Sequence, residues 1–305
     1  MSGYIIKRLF QGVLTFLGVS VLVFVLGRVT GDPVALLAPD NATAEQKEQI
    51  RESLGLNDPV AVQYWNFITK AVQGDFGTSY VSRQSVTKLV KDTLPATLQL
   101  AVASFLIAVV VSIPIGILVA LKRNTVWDLL GNVLALVGQA MPNFWLALML
   151  MLVFSVKLKL LPISGREGPA NMVLPVLTLA LAALGYFVRM VRSSMLEVLG
   201  QEYIRTARGK GVRELMVVGK HALKNALIPV ITVMGIHFGN LLSGAFVIET
   251  VFAWPGLGRL GVTALFARDF AVIQGVVLVS TAIFVLVNLV VDILYTLLDP
   301  RIRME

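Results

Sequence analysis

The stretch QEYIRTARGKGVRELMVVGKHALKNALIP, Gln201 to Pro229, is a long polar interruption between apolar segments of membrane length. It carries Arg205, Arg208, Lys210, Arg213, Lys220 and Lys224, and two glycines, Gly209 and Gly211, fall just past its first helical pattern. A membrane chain that exposes one basic, structured loop on one side docks something there. Two partners suit it on charge alone: an acidic protein groove or the anionic lipid surface.

The flanking composition sets the class. Of 305 residues, 56% are hydrophobic and 14% charged, with mean hydropathy +0.80; soluble domains carry about 25% charged residues. Several apolar runs reach about 20 residues, the length an α-helix needs to cross a hydrocarbon core of about 30 Å. The fold class is therefore an all-α polytopic membrane protein. There are no cysteines, which excludes disulfides, thiolate metal sites and cysteine nucleophiles. The net charge of +8 could suit nucleic acid, but in a membrane chain basic residues are first an orientation signal, and no nucleic-acid partner is expected.

Six spans are expected: 9–26, 98–121, 133–154, 172–188, 226–248 and 272–298. An even number puts both termini on one side. That side holds the N-terminal tail, the loop at Lys122-Arg123, the loop from Arg189 to Lys224 and the C-terminal tail, with 14 Lys and Arg. The short loops opposite, 155–171 and 249–271, hold 5. The positive-inside rule therefore predicts cytoplasmic termini and a cytoplasmic basic loop. Span one follows Lys7-Arg8 as a secretory signal would, but it is too long and no A-x-A-like site follows, so it reads as a retained anchor.

The chain divides into residues 1–29 (N-terminal tail and first span), 30–95 (an external helical subdomain) and 96–305 (a five-helix core containing the 201–229 loop). In the subdomain, Thr43 with Gln46 forms a capping-box pattern, and Gly55 caps the 44–54 helix. Asp58-Pro59 opens a second helix at proline's favoured first position; it carries Val62, Trp65, Ile68 and Val72 and stops at Gly74. A third short helix over 86–93 ends before Pro95. Each has an apolar face that should pack on the membrane domain or a partner.

Polar residues at membrane depth usually face the bundle interior or a wet cavity. Gln139 and Asn143 around Pro142 in span three, and His237, Asn240 and Ser243 in span five, are thus candidates for a substrate path, with interhelical hydrogen bonding the alternative. Gly235-x-x-x-Gly239, followed by Gly244, allows close helix approach, within the chain or between subunits. Asp292 in span six needs a basic partner or water.

Enzyme chemistry is not encoded. Gly74-Asp75-Phe76-Gly77 has the letters of the kinase DFG without its context. Gly219-Lys220-His221 lacks the rest of a P-loop, and neither H-E-x-x-H nor G-x-S-x-G occurs. Only two histidines are present. No catalytic residue, cofactor or metal is expected in this chain, and any energy source must come from a partner.

With those features in view, Tyr203 through Gly211 and His221 through Pro229 resemble the cytoplasmic EAA loop of ABC-importer permeases, most closely that of the dipeptide and oligopeptide (peptide/nickel) permeases of the first-permease type. The resemblance covers nearly the whole chain. It takes in Gly31-Asp32-Pro33, Gln73-Gly74-Asp75-Phe76-Gly77, Glu249-Thr250-Val251-Phe252-Ala253-Trp254-Pro255-Gly256-Leu257-Gly258-Arg259 and Leu298-Asp299-Pro300-Arg301. Two positions depart from the general importer pattern. The loop's glutamate position is Arg205, and the terminal I-x-L-P reads His221-Ala222-Leu223-Lys224; the peptide subfamily is similar in both.

The resemblance implies a type I importer permease in the bacterial inner membrane, a subunit of an ATP-driven, binding-protein-dependent importer for di- or oligopeptides or related small solutes. It implies three kinds of partner besides lipid: a second homologous permease, two cytoplasmic ABC ATPases that carry the ATP and Mg, and a periplasmic or lipid-anchored solute-binding protein. A short coupling helix around 211–218 would sit in an ATPase groove, with Arg205, Ala207, Gly209, Gly211, Val212, Arg213, Glu214, Leu215 and His221 at or near the contact. Asp75, Glu249, Trp254 and Arg259 would meet the binding protein, Trp254 serving equally well as an interfacial anchor. A stand-alone channel or secondary transporter would need paired intramembrane charges, which are scarce here, and an intramembrane hydrolase would need a nucleophile and base that the sequence lacks.

Overall fold

The computed structural model describes residues 2–29, 34, 37–39 and 41–298, with side chains for 6–29, 34, 37–39, 41–133, 135–242 and 245–293. The motifs at Gly31-Asp32-Pro33 and Asp299-Pro300-Arg301 lie outside the described residues, as do the side chain of Ser243 and the surroundings of Gly244.

In chain order the helices are α1 (Ser2–Val29), α2 (Ala44–Ser53), α3 (Val60–Val72), α4 (Val86–Leu121), α5 (Val126–Ala140) and α6 (Asn143–Leu150), which runs into a π-helical segment (Met151–Lys157). Then come α7 (Pro169–Leu199), α8 (Glu202–Gly209), the single turn α9 (Glu214–Met216), a second π-helical segment (Val217–Ala222), α10 (Leu223–Val251), α11 (Leu257–Phe266) and α12 (Phe270–Leu298). Among the described residues β pairing amounts to one isolated bridge, Thr78 to Ser85.

Five helical stretches are long and apolar enough to cross a membrane: Ile6–Val29, Val86–Leu121, Pro169–Leu199, Glu214–Leu242 and Phe270–Ile293. A sixth crossing requires the pair Val126–Ala140 and Asn143–Lys157, which bends by 103°. The third span expected over 133–154 is thus broken at Pro142. Pro142 has no N–H to donate and disfavours the helical region for its predecessor; accordingly Met141 takes ψ 128 and Pro142 ψ 134, both extended.

Pro95 behaves oppositely. The short helix expected to end before it instead continues as α4, 36 residues long, straight through. A proline inside a helix costs about 3 kcal/mol. Val86, Val90, Ala96 and Leu100 are all buried along this stretch, and burying a Val or Leu side chain returns about 1.5–3 kcal/mol each. Packing overrides propensity here.

The chain forms two compact units: residues 1–5, 98–254 and 287–305, and residues 6–97 and 255–286. The second is built around Val86, Val90, Leu257, Ala264, Val272 and Val276, with Phe76 and Tyr80 packed against them. In this unit α2 carries the expected capping box, Gln46 N donating to Thr43 Oγ1 and Thr43 N to Gln46 Oε1, and Gly55 follows with φ +64. No residue of α2 is buried within the chain, so its apolar face is not packed on the membrane domain. Pro59 is the N-cap of α3 rather than its first residue. α3 turns Tyr64 and Phe67 onto Phe24 of α1, at ring centroid separations of 5.4 and 5.6 Å. Val62, Trp65 and Val72 remain exposed.

A buried carboxylate holds the loop ahead of α4. Asp269 accepts hydrogen bonds from Ser79 Oγ and from the backbone N–H groups of Tyr80 and Val81. Burial first, and then the nearby Asp269 charge, raise the Tyr80 phenol above its ordinary pKa.

In the other unit α7 is the central element, packed on α5 and α10. Its most apolar window is 56% buried, against 17% for Ile6–Val29 and 11% for Phe270–Ile293. The α5–α7 approach depends on Gly185, where a Cβ would stand 2.4 Å from the Ala135 carbonyl oxygen. Gly235 of the small-residue motif faces Val291 of α12 with only 2.6 Å for a Cβ, so its contact is within the chain.

Candidate functional site

The 201–229 segment is a rigid foot with an exposed tread. Ile204 of α8 is fully buried, and Val217, Val218 and Ala222 of the following π-helical segment are buried too. Asn225 Nδ2 donates to Tyr203 Oη at 2.9 Å, and Ser194 Oγ of α7 donates to the Ala226 carbonyl at 2.7 Å. These contacts fix α8 and the start of α10 to α7.

Between them the chain reverses. α8 ends at Gly209, and Gly211 sits at φ +76, the left-handed region that glycine enters without the steric penalty other L-residues meet. The turn is closed by a two-pronged ion pair, Arg208 Nη2 to Glu214 Oε1 at 2.6 Å and Nε to Oε2 at 3.1 Å. The hydrogen bond it donates to Glu214 is the main reason the Arg208 guanidinium is held above its ordinary pKa. Both side chains are about half exposed, so the pair contributes less than about 1 kcal/mol. Its role is geometric.

Of the helix expected around 211–218, residues from Glu214 onward are helical, and a further short helix, α8 over 202–209, precedes the turn. Gly211 to Arg213 form the turn, and residues from Glu214 onward feed without a break through the π-helical segment into α10. The left-handed glycine explains the later start, since a helix cannot run through it. Of the residues singled out in sequence, Arg205, Gly209, Gly211, Arg213, Glu214 and Leu215 are exposed, while Ala207, Val212 and His221 are half-buried. Leu215, 89% exposed, is an apolar knob at the tip, with Arg213, Lys210 and Lys220 also exposed. Arg205 pairs only with its neighbour Glu202, at 2.9 Å.

A polar seam runs along α7 above this foot. Arg192 grips Asp128 of α5 with two hydrogen bonds, Nε to Oδ1 at 2.7 Å and Nη2 to Oδ2 at 2.9 Å. Asp128 also accepts from Asn132 Nδ2 at 2.8 Å and from the Asn124 backbone N–H at 3.0 Å. One turn earlier on α7, Arg189 Nη2 donates to Gln139, while its buried Nε has no hydrogen-bond partner among the described residues. Tyr186 stacks on His237 of α10 at 4.2 Å between centroids. The structure thus joins Gln139 to α7 through Arg189 and His237 to α7 through Tyr186. Asn143 is half-buried and Asn240 exposed, neither joining the seam. The sequence reading missed Asp128, which stands near the start of α5 and has its partner 64 residues away.

The four external candidates divide by burial. Asp75 and Arg259 are exposed, and the Asp75 carboxylate accepts from Gly77 N. Glu249 is fully buried and Trp254 is 1% exposed, with the Arg166 guanidinium 5.4 Å from the Trp254 ring centroid. Neither offers a surface to a partner, and Trp254 is a core residue rather than an interfacial anchor. No group of three or more metal-ligating side chains occurs among the described residues.

Membrane-length helices carrying an exposed, firmly footed basic turn define a polytopic membrane protein with a built surface for docking. The chain belongs to the family described as binding-protein-dependent transport system inner membrane component, matched over residues 112–304, with that family's N-terminal region matched over 1–101. It is an ABC-importer permease of the peptide/nickel type and a multi-pass inner-membrane protein. It is 46% identical over 304 residues to the glutathione transport system permease protein GsiC of Salmonella typhimurium LT2, covering 99% of both chains. Against the protein of the same description from Escherichia coli K12 the identity is 45%, with the same coverage. Among solved structures it resembles an inward-facing MetNI methionine ABC transporter, with TM-score 0.57, 22% identity, and coverage of 69% of this chain and 96% of that one. A crystal structure of an amino acid ABC transporter matches with TM-score 0.52 at 18% identity, covering 70% and 94%. These last two likenesses speak to the fold alone.

Proposed function

We propose that this permease forms half of a translocation pathway, paired with a second homologous permease, and that its 201–229 segment couples the pathway to two cytoplasmic ATPase subunits. The termini and this segment face the cytoplasm, ATP and Mg belong to the ATPases, and a solute-binding protein delivers substrate on the opposite face. The single observation that carries the reading is the build of the 201–229 foot. It is anchored through Ile204, Tyr203–Asn225 and Ser194, and it presents Leu215 beside exposed cations. An apolar knob in a basic collar suits an acidic, hollow protein surface, whereas a flat lipid interface would leave the tip's rigid turn without purpose. Shifting a two-state equilibrium from 1:99 to 99:1 takes about 5.5 kcal/mol of differential interaction, and a stiff foot transmits such a bias where a floppy loop would not.

The cargo is a small peptide or peptide-like solute with a free carboxylate. Near-full-length similarity to glutathione permeases supports the class, and Arg189, its Nε without a partner among the described residues of the polar seam, supports a carboxylate-bearing cargo. The deciding experiment reconstitutes the chain with its co-purifying permease, ATPases and binding protein in liposomes and measures uptake of labelled glutathione, dipeptides and an uncharged sugar. Uptake of the peptides that requires ATP supports the proposal. Uptake by the isolated chain without ATP would replace it with a stand-alone transporter.

A further inference from the structure

We propose that the cavity beside the end of α1 is a binding site for the headgroup of an anionic phospholipid. The cavity has a volume of about 640 Å³ and lies wholly within the unit formed by residues 6–97 and 255–286. That volume falls in the range of small-molecule sites, about 300–1,000 Å³.

Its depth is set by the two spans that border it. Phe24, Gly27 and Arg28 come from the last turns of the Ile6–Val29 span, and Phe270 and Gln274 from the first turn of the Phe270–Ile293 span. The cavity therefore stands where apolar helix gives way to polar chain, the level at which phosphates lie in a bilayer.

Its walls match both parts of a lipid. Phe24, Phe67 and Phe270 supply apolar lining, and Arg28, Arg51 and Lys70 supply three cations. The Arg28 guanidinium already lies 5.2 Å from the Phe24 ring centroid, so the charged and apolar elements adjoin. Two carboxylates, Glu52 and Asp75, also line the cavity. The described lining therefore carries a net formal charge of one positive unit. A phosphodiester with an uncharged headgroup brings only its negative charge to these cations, whereas a zwitterionic headgroup brings a cation of its own. Guanidinium and ammonium groups make charge-assisted hydrogen bonds to phosphate oxygens, and the phenyl lining accepts the start of an acyl chain. A water-soluble phosphate ester could use the cations but would leave that lining wet.

The test is native mass spectrometry of the full-length chain, purified in mild detergent with its co-expressed subunits, stripped of lipid and offered defined ligands. Phosphatidylglycerol should give an adduct that survives activation, one per copy of the chain, and phosphatidylcholine a much weaker one. Glycerophosphoglycerol, the same headgroup without chains, and inorganic phosphate should give none. The double variant Arg28→Gln/Lys70→Gln should weaken the phosphatidylglycerol adduct by about tenfold or more. Lys47→Gln, which removes a cation of α2 that does not line the cavity, should leave it unchanged, and so should the charge-preserving Arg28→Lys/Lys70→Arg, which also controls for folding. Equal retention in the double variant and the wild type overturns the proposal. Binding of the chain-free headgroup as tight as that of the lipid overturns the lipid assignment in favour of a soluble phosphate ester.

Discussion

Replacing Gly211 with valine isolates the turn from everything around it. A Cβ built at this position meets nothing within 4 Å, so the substitution adds no clash and its whole cost falls on the backbone at φ +76. For an L-residue the left-handed region costs about 1–2 kcal/mol, and a β-branched side chain stands at or above the upper end. At 1.4 kcal/mol per tenfold, about 2 kcal/mol multiplies any competing conformation of the turn roughly thirtyfold. The Arg208–Glu214 pair, contributing under about 1 kcal/mol on the surface, cannot hold the turn against that. The anchors of the foot lie elsewhere, so insertion, yield and thermal stability should stay near wild type. Substrate-stimulated ATP hydrolysis of the reconstituted transporter should fall at least about tenfold. Gly211→Asn, which tolerates the left-handed region, should keep most of the stimulation, and Gly211→Ala should lie between. A valine variant with normal stimulation, or an asparagine variant as impaired as valine, refutes the argument that this turn's conformation transmits the coupling.

Three further expectations rest on the packing. Asp128→Ala should lower stability by about 2–3 kcal/mol, below the ~3–5 of a fully buried pair because Arg192 is partly exposed, read as a drop in the detergent melting temperature that Arg192→Ala reproduces and the double variant does not double. Asp269→Ala leaves Ser79 Oγ and the N–H groups of Tyr80 and Val81 without their acceptor, at about 1–3 kcal/mol for the buried Ser79 hydroxyl and less for the two part-buried N–H groups; limited proteolysis should then cut within 78–85 at protease levels the wild type resists. Gly185→Val places a side chain against the Ala135 carbonyl, where even a Cβ has 2.4 Å, and should abolish accumulation of folded protein in the membrane, which fluorescence-detected size exclusion of a tagged chain would show.

What the sequence made legible follows the range of each interaction. Caps and apolar runs are local, so the Thr43–Gln46 box and the five long spans could be read directly. Pro142 and Pro95 carry the same letter and opposite outcomes, because one sits at a bend where extended backbone is tolerated and the other beside residues buried strongly enough to keep the helix whole. The Asp128–Arg192 and Ser79–Asp269 partnerships join residues 64 and 190 positions apart, and no periodicity reports them. Trp254 and Glu249 looked like surface features for a related reason. A loop's composition does not reveal that it folds back under Arg166.

The uneven burial of the spans has a consequence for how this sequence can drift. Along Ile6–Val29 most positions are exposed and answer to hydrocarbon, and lipid does not distinguish leucine from valine, isoleucine or phenylalanine by shape. Along Pro169–Leu199, more than half buried, each side chain answers to a neighbour whose outline is fixed, and a change there obliges a matching change across the contact. Divergence should therefore accumulate as single, independent exchanges within a small apolar alphabet along the first span, and as rare, paired exchanges in the middle of the chain.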